Sequence, residues 1–416
     1  MTDLSPAPTP DPAIDAARLW SDLMTLGAIG ALPHGGCDRL ALTDADAAGR
    51  RLFAGWCAEA GLALTVDAMG NMFGRREGSE AGLAPVLIGS HLDTQQPGGK
   101  FDGPLGVLAG LACVRAMDAA GTVTRRPVVV VNWTNEEGAR FAPGLMGAAM
   151  HAGVLPLVEA HAATDRGGQR VGEELRRIGF LGDGAGPREA AAYFELHIEQ
   201  GDRLQNAGVT IGVVDGTENN LFLVIDCWGE NGHAQATPMG QRRNALAAAA
   251  ALITAAEAIG VAATEGGSAG VAAMEVLPNN RINIPHHVRL SFSATHPTTE
   301  GIEGIRAAIT AAAVRVSTER GVRIEVEDAP VRPAVDFDAG LGAAVERAAA
   351  GLGFTTMRLR SRAGHDAIRM APFCPSQMIF VPCKDGISHS EFEDMTREDA
   401  ASGAAVLLRV AMEAAG

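Results

Sequence analysis

The chain has few aromatic residues and no surplus of basic charge. Aromatic residues make up 4% of the 416 positions, whereas 47% are hydrophobic and 51 are glycine. We therefore expect a core built mainly from aliphatic side chains. The formal net charge is −15, from 34 Lys and Arg against 49 Asp and Glu. Because few basic groups are left to neutralise phosphates, this balance argues against nucleic acid or an anionic membrane as a partner.

The sequence also lacks the features of a disulfide framework, a secretion signal or a membrane anchor. Its six cysteines form no C-x-x-C pair, so we predict reduced, mostly buried thiols in a reducing compartment. Residues 1–15 are rich in proline and acidic residues, without the basic and apolar segments of a signal peptide. We expect no apolar run of the ~20 residues that cross a bilayer. These features predict a soluble cytoplasmic protein.

The periodicity of the first half predicts an α/β domain. Helical and strand patterns alternate, and the apolar run at 128–131 is typical of a strand buried on both faces. The predicted helices are 38–61 and 105–120, and the predicted strands are 85–89, 128–131 and 193–199. Strands interleaved with helices indicate a mostly parallel mixed sheet flanked by helices.

The pattern changes near residue 212 and changes back near residue 330. In between, the predicted strands are 221–228, 270–276, 287–294 and 322–327, and the predicted helices are 240–259 and 300–318. This β-α-β-β-α-β order is the ferredoxin-like arrangement. After residue 335, a helix at 338–351 returns to the α/β style. We therefore predict a discontinuous α/β domain, 1–211 plus 330–416, interrupted by an inserted α+β domain at 212–329.

Ionisable residues follow the predicted strands at four places. The segments are SHLDT at 90–94 with Asp102 further on, NEEG at 135–138, HIEQG at 197–201 and GISHS at 386–390. In open α/β sheets, ligands gather at the carboxyl ends of the strands. Any one of these residues alone could be a capping or core residue. Their joint occurrence at strand ends is what indicates a site.

The residue types suit a pair of divalent metal ions. Neutral imidazoles and carboxylates are ligands for Zn²⁺ or Mn²⁺. Two ions about 3.5–4 Å apart need one carboxylate that bridges them. We predict Asp102 as the bridge, with His91 and His197 on one ion and Glu137 and His389 on the other.

Two more acidic residues have predicted roles beside these ligands. Asp93 is placed to accept the second ring N–H of His91 and so fix its tautomer. Glu136, next to the ligand Glu137, is predicted to be the general base for the attacking water. Adjacent glutamates are more often a solvated helix face, so this assignment depends on the surrounding pattern.

At these positions the sequence resembles a known family. The segments SHLDT…GGKFDGPLGV, TNEEGARF, ELHIEQG, GHAQATPM, AGHDA and GISHS resemble the N-carbamoyl-L-amino-acid hydrolase, allantoate amidohydrolase and β-ureidopropionase family. That family lies within the wider clan of two-metal aminoacylases and carboxypeptidases. The resemblance extends from about residue 20 to the C-terminus.

The resemblance implies two Zn²⁺ or Mn²⁺ ions on the five predicted ligands, Glu136 as the base, and a homodimer formed through the inserted domain. It also implies that Gln200 and His233 contact the scissile carbamoyl group, with His233 supplied across the dimer to steady the oxyanion. On residue type alone, His233 could equally be an exposed loop histidine.

The sequence departs from the family where the substrate carboxylate is bound. The family clamps that carboxylate with an Asn and an Arg, and the corresponding residues here are Ile282 and Thr295, with Asn283 one position from the first. Thr cannot replace a bidentate guanidinium. Arg362 stands where the family usually has Gly, so it is a candidate replacement anchor or a solvent-facing loop residue. Arg281 is a weaker candidate.

The sequence therefore predicts a metal-dependent amidohydrolase that opens a ureido, carbamoyl or related linear amide in a small molecule. One alternative is hydrolysis of an N-acyl amide, as in the aminoacylase branch of the clan. The other is a non-catalytic metal-binding protein, which would have no need for a base such as Glu136.

Overall fold

The computed structural model describes residues 11–80, 82–264 and 266–416. The chain divides into two compact units: the first is Met1–Gly216 with Asp336–Gly416, and the second is Thr217–Val335. Each unit has its own cluster of buried hydrophobic side chains. The second unit begins and ends a few residues later than the predicted 212–329, because the strand that starts at Ile211 pairs with the sheet of the first unit.

The helices and strands are numbered along the chain. The first unit begins with α1 (Ala16–Gly27), α2 (Asp44–Glu59), β1 (Ala63–Val66), β2 (Met72–Arg76), β3 (Val86–His91), α3 (Pro104–Ala119), β4 (Val128–Trp133), α4 (Met146–His151), α5 (Leu157–Ala162), α6 (Val171–Ile178), β5 (Ala192–Ile198), α7 (Arg203–Ala207) and β6 (Ile211–Thr217). The second unit contains β7 (Asn219–Trp228), β8 (Gly232–His233), α8 (Ala245–Ala262), β9 (Ser268–Leu277), β10 (Asn283–Ile284), β11 (His287–His296), α9 (Thr299–Arg320) and β12 (Arg323–Val326). The first unit resumes with α10 (Ala339–Gly351), β13 (Thr356–Ser361), α11 (Ala367–Met370), β14 (Ser376–Val381) and α12 (Arg397–Ala415).

The first unit is built on an eight-stranded sheet with the strand order β1-β2-β4-β3-β5-β14-β6-β13. The four central strands, β4, β3, β5 and β14, are parallel. Strand β1 pairs antiparallel with β2, β2 with β4, and β6 with β14. Every residue of the four central strands is buried, as expected for parallel strands covered on both faces. The predicted α/β fold class, with a mostly parallel central sheet flanked by helices, is confirmed.

Helix α3 packs closely against the central strands and fixes the position of the loop before it. Most of the helix is buried, including Leu105, Val107 and Leu108. A Cβ atom at Gly106 would lie 2.6 Å from the backbone oxygen of Leu196 on β5. Only glycine therefore allows this approach, which holds the start of α3 at the carboxyl ends of the strands.

Several elements differ from the prediction. The helix predicted at 38–61 begins only at Asp44, because the side chain of Thr43 accepts the backbone N–H of Asp46 and caps the helix there. The hairpin of β1 and β2 and the terminal helices α1 and α12 were not predicted. Strands β1 and β2 have four and five residues, too short for alternation to distinguish them from loops.

The second unit has a four-stranded antiparallel sheet with the order β12-β7-β11-β9. Together with α8 and α9 this is the β-α-β-β-α-β ferredoxin-like topology. The apolar faces of the two helices and the sheet form its core. Strands β8 and β10 form a separate two-stranded sheet.

Helix α8 corrects one expectation from the sequence. Its 18 residues have a mean hydropathy of 1.9, so by length and composition it could cross a membrane, although no such run was expected. Five of its residues, among them Leu252, are buried in the core of the second unit. Only 28% of the helix is buried, so an apolar face remains uncovered in a single chain.

Candidate metal site

The four central parallel strands bring the predicted ligands together. His91 is the last residue of β3, and His197 is the penultimate residue of β5. Glu137 and His389 lie in the loops that follow β4 and β14, and Asp102 lies just before α3. Because parallel strands end at the same edge of a sheet, residues from distant parts of the sequence converge there.

Asp102 lies between two groups of donor atoms. Its Oδ1 is 3.0 Å from Nε2 of His197 and 3.7 Å from Nε2 of His91. Its Oδ2 is 3.3 Å from Nε2 of His389, which is also 3.3 Å from Oε2 of Glu137. The donor atoms within each group lie within 4.8 Å of one another. The structure therefore places all five predicted ligands in two groups that share one carboxylate.

The donor atoms of the first group fit a cation. Nδ1 of His91 is 2.8 Å from the backbone oxygen of Asp93, and Nδ1 of His197 is 2.9 Å from that of Ile198. If each Nδ1 carries the proton, both Nε2 lone pairs face Asp102. Among the described residues, Nε2 of His197 is buried and has no partner in hydrogen-bond geometry, although Oδ1 of Asp102 is 3.0 Å away. Burial lowers the pKa of His91 to about 4, which keeps that ring neutral, as a metal ligand requires. Burial lowers the pKa of His197 as well, but Asp102 outweighs burial and raises that pKa to about 9, so a metal ion at this position would have to displace the proton of His197.

The second group holds two carboxylates with buried side chains, Asp102 and Glu137, beside His389. Burial and the nearby charge of Asp102 together raise the pKa of Glu137 to about 8. Gln95 holds this carboxylate by donating its backbone N–H to Oε1 at 3.1 Å and its Nε2 to Oε2 at 2.8 Å. His389 is the most exposed ligand, with 49% of its side chain accessible. A bound cation would compensate the buried carboxylates.

Asp93 acts differently from the prediction. Its backbone oxygen, and not its carboxylate, accepts the ring N–H of His91, and the nearer carboxylate oxygen is 3.9 Å away. The carboxylate instead accepts the backbone N–H groups of Glu136 at 3.2 Å and Glu137 at 3.3 Å. The side chain of Asp93 therefore orients the loop that carries both glutamates.

Glu136 lies beside the first donor group but belongs to neither of the two groups. Its Oε2 is 3.4 Å from Nε2 of His91, and the residue is 7% exposed. Burial raises the pKa of Glu136 well above its usual range, and the charge of Asp366 raises it further. A carboxyl group with a raised pKa next to a metal site has the properties of a general base.

Gln200 lies at the second group. Its Nε2 donates to Oδ2 of Asp102 at 2.7 Å and is 3.2 Å from Oγ of Ser388. Its buried Oε1 has no hydrogen-bond partner among the residues that the structure describes. The residue predicted to contact the substrate therefore lies against the shared carboxylate.

The sequence did not identify a third group of donors around His197. Glu195, His197 and His365 bring donor atoms within 4.8 Å of one another. The oxygens of Glu195 already accept hydrogen bonds from Ser90, Tyr193 and the backbone of Ala367, so this carboxylate is structural. The two-residue period that places Glu195 and His197 on one face of β5 was the available signal.

The remaining predicted substrate contacts lie mostly in the second unit. His233 on β8 pairs with Asn283 on β10, and the backbone oxygen of Ile282 accepts the N–H of Ala234. His233 is exposed, and its Nδ1 accepts backbone N–H groups of the following loop. The structure therefore brings His233, Ile282 and Asn283 together.

Thr295 is far from His233, Ile282 and Asn283. It is the ninth of the ten residues of β11, about 26 Å from His287 at ~3.3 Å per residue. Its hydroxyl is 3.0 Å from that of Ser268 on β9. Arg362, in the first unit after β13, and Arg281 are both exposed.

The chain is similar to known proteins along most of its length. The model of the family described as Peptidase family M20/M25/M40 matches residues 87–413. The chain is 44% identical over 410 residues to the N-carbamoyl-L-amino-acid amidohydrolase of Rhizobium meliloti, covering 98% of this chain and 99% of that one. It is 32% identical over 409 residues to the ureidoglycolate hydrolase of Oryza sativa subsp. japonica, covering 95% and 84%.

The structural comparison gives the same assignment. An amidase of the hydantoinase/carbamoylase family from Burkholderia vietnamiensis superimposes with a TM-score of 0.93 at 43% identity, covering 97% of this chain and 98% of that one. The chain therefore belongs to the M20/M25/M40 family, whose members are metal-dependent, and it is an amidohydrolase of C–N bonds within that family.

Proposed function

We propose that the protein uses two divalent ions, Zn²⁺ or Mn²⁺, to hydrolyse a ureido, carbamoyl or related linear amide bond in a small molecule. The observation that carries this proposal is the position of Asp102, whose two oxygens face different donor groups. His91 and His197 would hold one ion, Glu137 and His389 the other, and Asp102 both.

The ions would supply Lewis acidity toward the scissile carbonyl and the attacking water. Glu136 would take a proton from that water and later give it to the leaving nitrogen. Asp93 would hold the backbone of Glu136 in place, and Gln95 would orient Glu137. Gln200 is proposed to turn its amide to the substrate carbonyl.

The substrate differs, in our proposal, from an ordinary N-carbamoyl-α-amino acid. The relatives named for N-carbamoyl-L-amino acids and ureidoglycolate support a carbamoyl or ureido group. Thr295 has no positive charge and bonds to Ser268, and Ile282 is apolar and 61% exposed. Since removing one partner of a carboxylate–arginine pair costs about 2–5 kcal/mol when the pair is buried, we infer that the substrate lacks this carboxylate or binds it on Arg362.

We also infer a homodimer that forms through the second unit. Strand β9 is at the edge of its sheet, and its side chains Met274 and Leu277 are 46% and 54% exposed. The neighbouring helix α8 exposes Val261 at 88%. An unpaired edge beside an apolar helix face is the type of surface that a second copy covers. In such a dimer, His233 is proposed to serve the centre of the partner.

A cytoplasmic location is proposed from the cysteines. All six are free and buried, as predicted from the sequence. Buried thiols without a disulfide are typical of a reducing compartment.

The experiment that tests the proposed function is a substrate panel. Enzyme stripped of metal and reloaded with Mn²⁺ or Zn²⁺ is assayed for ammonia or amine release from ureides, carbamoyl compounds and N-acyl amides, each with and without an α-carboxylate. We expect turnover of ureido or carbamoyl compounds only with metal. Turnover of N-acyl amides alone would favour the aminoacylase reaction, and no turnover by metal-loaded enzyme would favour a non-catalytic protein.

A further inference from the structure

Glu393 is a buried carboxylate that binds the backbone in front of α3. It is 2% exposed, and its Oε1 accepts the N–H groups of Phe101 at 2.9 Å and Asp102 at 3.1 Å. These two N–H groups belong to the loop before α3, whose N-cap is Gly103. Glu393 therefore satisfies buried backbone donors at the residue that the two donor groups share.

The second oxygen of Glu393 reaches the side chain of the same aspartate through Ser388. The hydroxyl Oγ of Ser388 is 3.0 Å from Oδ2 of Asp102 and 3.3 Å from Oε2 of Glu393. The serine lies between the two carboxylates and donates its single hydroxyl proton to one of them at a time. It immediately precedes the ligand His389. One carboxylate therefore contacts the backbone of Asp102 directly and its carboxylate through a hydroxyl group.

The backbone of Gly99 lies directly against the Glu393 carboxylate. A Cβ atom at Gly99 would lie 1.9 Å from Cδ and Oε1 of Glu393 and 2.1 Å from Oε2. Gly99 has none of the positive φ angles found at many other glycines of the chain, so its backbone conformation would accept a side chain. The Glu393 carboxylate is the obstacle to one.

We propose that Glu393 is a positioning residue that sets the backbone and the carboxylate orientation of Asp102. This orientation decides that Oδ1 faces His91 and His197 while Oδ2 faces His389. The inference rests on the proposed two-metal function. Hydrogen-bond partners that orient a metal ligand typically change metal affinity or activity by about 10–100-fold when removed.

The test is a titration of metal-free protein with Mn²⁺ by calorimetry, together with kcat and KM for the best substrate of the panel. Glu393→Ala should weaken the binding of both equivalents by about 10–100-fold and lower kcat more than KM changes. Glu393→Gln should recover part of the affinity, because its amide oxygen still accepts the two backbone N–H groups. Ser388→Ala should weaken mainly the Mn²⁺ equivalent at Glu137 and His389, since of the two Asp102 oxygens the Ser388 hydroxyl contacts Oδ2.

Gly99→Ala is a second way to disturb the Glu393 carboxylate. Alone it should push the Glu393 carboxylate aside and reduce Mn²⁺ affinity as Glu393→Ala does. In the Glu393→Ala background the methyl group has room, so the further loss should be less than about twofold. Fully additive losses would overturn the proposal. If Glu393→Ala does not fold, Gly99→Ala and Ser388→Ala provide the test.

Glu391→Gln is the matched control, because it removes a negative charge from the same loop, two residues away. It should bind Mn²⁺ as the wild type does. The proposal is wrong if Glu393→Ala lowers the melting temperature but keeps wild-type Mn²⁺ affinity. If the wild type itself binds neither Mn²⁺ nor Zn²⁺, the proposed two-metal function is wrong, and this inference is wrong with it.

Discussion

The adjacent glutamates 136 and 137 should respond differently to the same amide substitution. Glu136→Gln removes the proposed base but no ligand, so the protein should keep its metal ions. The loss in kcat should be about 10²–10⁴-fold, as for a missing general base, which corresponds to roughly 2.7–5.4 kcal/mol. KM should change little, because Glu136 is proposed to act on the water and not to bind the substrate.

Glu137→Gln should lose metal as well as activity. Gln95 donates to both carboxylate oxygens of Glu137, so an amide NH₂ at either position would face another donor. The variant thus loses a ligand charge and a hydrogen bond together. Metal content after dialysis, measured by mass spectrometry, should fall toward one ion per chain for Glu137→Gln and stay near two for Glu136→Gln. The exposed residue Glu189 provides the control substitution to Gln.

The metal-free forms should also differ in stability. The folded-state pKa of Glu136 is raised by burial and then by Asp366, so the ionised wild-type carboxylate destabilises the fold increasingly as pH rises. Metal-free Glu136→Gln should therefore melt at or above the wild-type temperature at pH 8, and the difference should shrink at lower pH. Equal metal content and equal kcat in the two variants would refute the division of roles within the pair.

Four further outcomes are expected. Asp102→Ala should reduce metal content more than any other ligand substitution and abolish turnover, whereas full activity after exhaustive chelation would contradict a metal centre. Simple N-carbamoyl-L-amino acids should be poor substrates and Thr295→Arg should improve them, so efficient wild-type turnover would disprove the altered clamp. Arg362→Ala should raise KM for an anionic substrate and leave it nearly unchanged for a neutral one, because an ion-pair partner acts only on a bound charge. Val261→Arg should convert the dimer to a monomer in light scattering, and an unchanged mass would place the interface elsewhere.

Local sequence patterns were enough to predict the framework of the site. The apolar run of β4 and the helix after Asp102 appear close to the predicted positions, because a continuous β-branched run and an apolar stretch of helical length that stops at a glycine can both be seen in a short window. The same applies to the second unit, whose four sheet strands and two helices lie within a few residues of their predicted bounds. Residue type at strand ends, together with the family resemblance, was sufficient to nominate the ligands.

The hydrogen bonds around those ligands were decided by the tertiary structure. Whether the backbone or the side chain of Asp93 meets His91 depends on how the chain turns after β3, and spacing along the sequence carries no such information. Glu393 lies 291 residues from Asp102, and only the order of strands in the sheet makes them neighbours. Gln95 likewise reaches Glu137 across two loops.

The second unit shows the same division. Its sequence was enough to predict a ferredoxin-like fold. The sequence also has threonine at position 295, where the family resemblance leads one to expect arginine. The sheet register decided that Thr295 lies at the opposite end of β11 from the loop that pairs with His233. Composition made α8 apolar, but packing decided which face of it is buried, because only the fold determines which side of a helix meets the sheet.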